Sequence, residues 1–309
     1  MKSQSRAALL FLTPGMSLIA LFFILPVIAG FVLSLTDFDL YSIGDAGDTR
    51  FTGVKNYASL FDNPLFWRAL VNTLYFSFVG GPLTIAVALA AALLLNAKLA
   101  RFKTLFRTIY FAPVVTTIVG VAIVWKYVYH PRVGLLNRML DAVGIQGPDW
   151  LGDPHWAMPA LILLAIWRGF GYATVIFLAG LQNISEELYE AARIDGAGEW
   201  KQFWHITVPQ LGPTFVFVGI ITAIGFLQVF AEPYVMTPDG GPLNSTLTIV
   251  MLMYREGFRW WNMGYAAAVA FILFAMVLTA TLVSAMVRRK SVPSPPRGVG
   301  EGQGEGAAR

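Results

Sequence analysis

Six long apolar runs, separated by shorter polar stretches, organise this chain: residues 8–35, 69–95, 109–129, 156–182, 210–231 and 263–287. Each is long enough for a helix to cross a hydrocarbon core of about 30 Å, which takes roughly 20 residues. Backbone polar groups in lipid must be satisfied within their own segment, so these runs predict helices rather than strands. The expected fold is an all-α integral membrane protein with six transmembrane helices. The first run is about twice the 7–15 residues of a signal-peptide core and reads as a retained span. Between the runs, Asn56–Phe61 is expected to lie flat at the interface, with Trp67, Trp260 and Trp261 as aromatic anchors. Residues 1–290 form one expected membrane domain without internal repeats. The Pro/Gly-rich segment 291–309 is an expected disordered cytoplasmic tail.

Composition agrees with the pattern. The chain is 56% hydrophobic and only 13% charged, against about 25% charged in soluble domains. The net charge of +4 is explained by position. Lys2 and Arg6 precede the first run. Lys98, Arg101, Lys103 and Arg107 join the second to the third, and Arg288, Arg289 and Lys290 follow the sixth. The positive-inside rule then places both termini in the cytoplasm. Asp37, Asp39, Asp45, Asp48, Asp62, Asp141, Asp149 and Asp153 occupy the opposite, external loops. The basic groups thus act as topology determinants, and nucleic acid is not an expected partner. Cysteine is absent, and His130, His155 and His205 stand far apart, so no metal site is expected.

Glycine and proline recur inside the runs: Pro26, Gly80, Gly81, Pro82, Pro113, Gly120, Pro159, Gly169, Gly171 and Gly180. They fit close helix packing or hinges for helices that rearrange. Arg168 is the one full charge deep within a run, about 18 Å from its external end at 1.5 Å per residue. An ionisable residue at that depth marks a candidate site. Snorkelling, or pairing with a group on a partner subunit, is the competing explanation.

The polar stretch 185–209 carries the sharpest signal. Ser185 can cap a helix whose first turn holds Glu186 and Glu187, and Leu188, Ala191 and Ala192 share one face. Gly196 and Gly198 break it, a second short helix runs through Trp200, Phe203 and Trp204, and Pro209 opens the fifth span. The order Glu190-Ala191-Ala192, three residues, Gly196, nine residues, Ile206, one residue, Val208-Pro209 resembles the EAA loop of permease subunits in binding-protein-dependent ABC importers. Only Val208 departs from that pattern, where the family carries Leu. The resemblance implies a type I ABC importer permease fold. It also implies a coupling helix (Glu190, Ala191, Ala192, Asp195, Gly196, Ile206, Pro209) seated in a cleft of a cytoplasmic ATPase. A plain interfacial helix would need a basic polar face, and this one is acidic.

A second resemblance lies in Thr237–Thr246, followed by Tyr254, Phe258 and Gly264-Tyr265-Ala266-Ala267. It is similar to sugar permeases of the maltose and glycerol-3-phosphate type. The large external insert of maltose permeases is missing here, which favours the glycerol-phosphate and general sugar branch. That likeness implies a substrate pathway through Trp167, Arg168, Gly169 and Tyr172, with Phe226, Gln228, Phe230 and Glu232 from the fifth span. Leu227 and Phe230 stand where maltose-type sites carry amides, arguing for a different sugar geometry. The implied assembly has a second homologous permease, two cytoplasmic ATPase subunits and an external solute-binding protein, in the bacterial inner membrane. No Gly-x-x-x-x-Gly-Lys-[Ser/Thr] loop occurs, so no catalytic residue or cofactor is expected in this chain, with ATP and Mg bound by the partner ATPase. Two rivals remain. An ion-coupled secondary transporter would want acidic or His relays within its spans. A non-transporting scaffold would tolerate changes at Arg168 and Tyr172.

Overall fold

A computed structural model describes residues 2–39, 49–97 and 103–291. Asp45, Asp48, Lys98, Arg101 and the tail 292–309, all used above, lie outside the described residues.

The first span is α1 (Lys2–Ile19), a π turn over Ala20–Ile24, and α2 (Leu25–Ser34). Pro26 lacks the N–H that an α-helical ladder would use, and the widened turn absorbs that loss. The most apolar 18-residue window of Phe11–Ser34 contains no buried residue, with Phe11 and Phe23 at 85% and 70% exposure, while Ser34 at its end is buried. Among the described residues it is held at its far end, where the Phe31 and Phe271 rings meet edge-on at 5.2 Å.

The predicted interfacial helix is α3 (Lys55–Asp62), pinned by Leu60 in the core and by Tyr57, whose hydroxyl lies 2.8 Å from that of Ser34. Asn63 then caps α4 (Pro64–Tyr75), its side chain accepting from the Leu65 N–H at 2.9 Å, with Pro64 in the first turn. A π turn over Phe76–Gly80 leads into α5 (Gly81–Asn96). The combined Pro64–Asn96 run begins earlier than the sequence pattern suggests.

The third span departs from expectation. Residues 109–129 are not one helix but two, α6 (Lys103–Val115) and α7 (Ile118–Val128), bent by 108° between them. Pro113 removes a ladder donor, and Thr116 Oγ1 donates to the Pro113 carbonyl at 2.7 Å. Thr117 is extended at φ −66, ψ 132, and starts α7 afresh. Eleven residues give α7 about 17 Å, too short to cross the core alone. After the short α8 (Leu135–Asp141), α9 (Ala157–Gln182) is unbroken, and half of its apolar window is buried.

α5, α6 and the later helices Gly212–Leu227 and Ala231–Met236 pack against α9. Leu161, Phe76 and Phe226 anchor one buried cluster, and Phe177, Ala88 and Val218 another. A Cβ at Gly171 would collide with the Tyr110 carbonyl, so α6 crosses α9 at backbone contact. Thr174 Oγ1 bonds the Phe170 carbonyl at 2.7 Å and sits 3.3 Å from that of Ala88 on α5.

Past Asn183 come α10 (Glu186–Ile194), α11 (Glu199–Gln202), a π turn over Phe203–Thr207 and α12 (Val208–Gln210). The fifth span is also interrupted. α13 (Gly212–Leu227) stops at Gln228, and α14 (Ala231–Met236) resumes three residues later. The Thr237–Thr246 segment follows, then α15 (Ile249–Tyr254), a π turn over Arg255–Arg259 and α16 (Met263–Ser291). The Thr237–Thr246 segment holds Asp239, Leu243 and Asn244 at positive φ (61°, 53° and 57°). Asn72 clamps it, donating to the Asn244 and Leu247 carbonyls at 2.9 Å each, while Thr73 accepts from the Ile249 N–H at 2.9 Å. These two polar residues of the second span therefore fasten the loop to it.

Candidate functional site

Two regions stand out: a cavity beside α9 and the polar knuckle at one end of the bundle. The cavity holds about 240 Å³ and is lined by Phe76, Thr84, Arg168, Tyr172, Phe226 and Glu232, among others. Gly169 and Thr222 also face it. Of the residues singled out from sequence, Arg168, Gly169, Tyr172, Phe226 and Glu232 converge here. Three do not. Trp167 packs on Trp125 at 5.5 Å. Phe230 stacks on Tyr234 at 5.0 Å. Gln228 lies exposed in the break after α13. The break between α13 and α14 redirects that chain, so a continuous helical face through 226–232 does not exist.

Arg168 is not a bare cation. Its Nη1 lies 3.3 Å from Glu232 Oε1, with the Arg side chain 37% exposed and the Glu 10%. The partner is therefore in the same chain, 64 positions away, rather than on a second subunit. The pair links α9 to α14 and leaves the cavity wall close to neutral. Arg168 Nε is buried with no hydrogen-bond partner. Sequence reasoning missed Phe76, Thr84 and Thr222, which come from helices whose inward face carries no periodic signal.

The knuckle is built as its residues dictate. The Ser185 hydroxyl accepts from the Glu187 N–H at 3.2 Å, and Glu186 and Glu187 occupy the first turn of α10. At the other end Ala197 N–H bonds the Ala192 carbonyl at 2.8 Å and Gly196 N–H bonds that of Arg193 at 3.1 Å. This is a Schellman closure, with Gly196 at φ +74 as the left-handed residue. Nothing lies within 4 Å of where its Cβ would be, so conformation rather than crowding in this chain requires glycine. The Tyr189 hydroxyl is 2.9 Å from Thr207 Oγ1, tying α10 to the base of the fifth span. Gln202 donates to the Ala197 carbonyl at 2.6 Å.

The knuckle presents apolar side chains among its charged ones. Ile194 is 86% and Trp200 73% exposed, with Trp204 and Leu188 beside them and Glu190, Ala191 and Asp195 on the open surface. Ala192 and Ile206 are half-buried, and Pro209 is exposed at the start of the fifth span. Exposed apolar side chains of this kind make the knuckle a candidate surface for a protein partner.

Residues 80–292 match the family described as the binding-protein-dependent transport system inner membrane component. The chain is 38% identical over 285 residues to the lactose transport system permease protein LacF of Rhizobium radiobacter, covering 91% of this chain and 93% of that protein. It is 36% identical over 283 residues to the arabinooligosaccharides transport system permease protein AraP of Bacillus subtilis, covering 91% and 88%. Among solved structures it is similar to a chain of the bacterial alginate ABC transporter in complex with an alginate pentasaccharide-bound periplasmic protein. There the TM-score is 0.76 at 26% identity, over 94% of this chain and 97% of that one. The chain belongs to the binding-protein-dependent ABC importer permeases, with the type I fold and sugar-transporting relatives.

Proposed function

We propose that this chain forms half of the pathway for a neutral oligosaccharide and takes its energy from a cytoplasmic ATPase gripping the knuckle at 185–209. The observation that supports this reading is the exposure of Ile194 on α10 and Trp200 on α11, with α10 tied by Tyr189 to Thr207 at the base of the fifth span. The LacF and AraP proteins handle lactose and arabinooligosaccharides by name, and the alginate transporter is seen with a periplasmic protein. These support a solute-binding protein outside and a second permease of the same kind completing the pathway. The basic residues Lys103, Arg107, Arg288, Arg289 and Lys290 in the sequence support a cytoplasmic position for the knuckle end and for both termini. ATP and Mg would be held by the partner ATPase subunits, since this chain carries no phosphate loop.

Mechanically, closure of the ATPase pair draws the knuckle sideways. The Ser185 cap and the Tyr189–Thr207 contact make it stiff, so the displacement passes to α9 and α13 as a rigid-body rotation. The inner cavity, lined from those same helices, then opens to alternate sides. Tyr172 offers a ring for the C–H face of a sugar. The Arg168–Glu232 pair offers a donor and an acceptor without net charge, which favours a neutral sugar over a glycerol phosphate.

The test is charge reversal at an exposed position. Glu190→Lys leaves the fold intact and is expected to abolish ATPase co-purification and sugar uptake together. Normal uptake in that variant would refute the proposal.

A further inference from the structure

A second cavity, of about 430 Å³, lies at the end of the bundle opposite the knuckle, lined by Tyr234, Asp239, Met251, Tyr254, Arg255 and Arg259 among others. It is within the size range of small-ligand sites. Its walls are built rather than incidental. The Tyr234 and Tyr254 rings meet edge-on at 5.2 Å, and their hydroxyls are 3.4 Å apart. Phe230 stacks behind Tyr234, and Phe258 stacks on Tyr254 at 5.4 Å, so both tyrosines are held in place.

The polar groups are of both kinds. Arg255 lies over the Trp260 ring at 4.8 Å, and its Nε and Nη2 are buried with no hydrogen-bond partner. Buried donors left unmade are costly, and a modest rotation of the guanidinium into the cavity would let an incoming oxygen satisfy them. Arg259 is already paired with Asp239, and Arg255 sits beside the buried carboxylate of Glu256. Of the lining charges Arg259 and Asp239 cancel and Arg255 remains, since Glu256 lines a different cavity. A carboxylate-bearing protein loop would need donors only and would meet Asp239. A saccharide needs an aromatic face together with donors and acceptors, and all three are present.

We propose that this cavity is an outer saccharide subsite, a waiting position where a sugar ring stacks on Tyr234 and Tyr254 and receives hydrogen bonds from Arg255. It rests on the import reading above and adds a site to it. Glu232, which faces the inner cavity, is two residues from Tyr234 on α14, so the two sites lie on either side of one short helix.

The test uses the complete assembly in lipid nanodiscs, with lactose, maltose and arabinobiose as probes in saturation-transfer NMR. ATP-driven uptake of the same sugars by the wild-type assembly is the separate readout of the import reading. Tyr254→Ala should weaken sugar contact about fivefold, the worth of one aromatic stack, and Arg255→Gln should also weaken it. Tyr254→Phe, which keeps the ring, should weaken it little, and Tyr172→Ala in the inner cavity should leave a residual contact. If Tyr254→Ala does not assemble, Arg255→Gln against Tyr254→Phe makes the same comparison. The proposal is overturned if Arg255→Gln leaves contact unchanged. It is also overturned if no probe touches the wild type while one is imported, or if Arg255→Gln weakens only the docking of the external binding protein.

Discussion

The Arg168–Glu232 pair makes an asymmetric prediction. At about 4 Å and an effective dielectric of about 20, two unit charges attract by ~4 kcal/mol before desolvation is subtracted. Desolvation is unequal here, because the Glu side chain is 10% exposed and the Arg 37%. Arg168→Met strands a carboxylate that water scarcely reaches, and should cost ~3 kcal/mol, near the low end for breaking a buried pair. Glu232→Leu strands a guanidinium that water partly solvates, and after discounting for that screening should cost only ~1–2 kcal/mol. Replacing both removes the stranded charge, so the double variant should lie within ~1 kcal/mol of wild type. The measurement is equilibrium unfolding of the four proteins in mixed micelles, analysed as a double-mutant cycle. A coupling below ~0.5 kcal/mol would mean the two charges act independently. A Glu232→Leu penalty exceeding that of Arg168→Met would mean the burial asymmetry is wrong.

Two further outcomes follow from other parts of the molecule. Burial raises the Glu256 carboxyl above its ordinary value of 4.5, with the Asn262 hydrogen bond and the Arg255 charge opposing. Its folded state therefore holds the proton longer than the unfolded chain, and wild-type stability falls as pH rises from 4.5 through the raised value. Glu256→Gln should match wild type at the acid end and exceed it at about pH 8; thermal melts that stay parallel across this range would contradict the assignment. Gly171→Ala should cost ~2–3 kcal/mol because backbone must move, whereas Gly219→Ala, with nothing within 4 Å, should be neutral or slightly stabilising. Equal melting temperatures for the two variants would show that α6 does not press on α9.

Much of the fold was legible because the bilayer imposes a length rule on apolar runs. α9 spans 157–182 against an expected 156–182, and the Ser185 cap and the Gly196 turn fall where the residue types require. What the length rule could not see was interruption. The run 109–129 is apolar throughout, yet Pro113 and the threonines at 116–117 fold it into a corner, and Gln228 stops the fifth helix inside an apolar stretch. The cavity was half legible. Arg168 announced itself by its charge, but its partner came from a helix whose register depends on that break. Thr84 and Thr222 carried no signal, since a lone hydroxyl in a span more often bonds its own helix, as Thr84 does at 2.7 Å to Gly80.

The corner between α6 and α7 would pass for a joint. Yet both of its arms are fastened to the same beam. α6 meets α9 at Gly171, and Tyr129, just past α7, donates its hydroxyl to the Ala160 carbonyl at 2.7 Å. Two fixings eleven positions apart close a triangle, and a triangle cannot fold without breaking a side. The bent span thus holds α9 at two points along its length, and under the coupling proposed above it would act as a strut that resists bending of that helix.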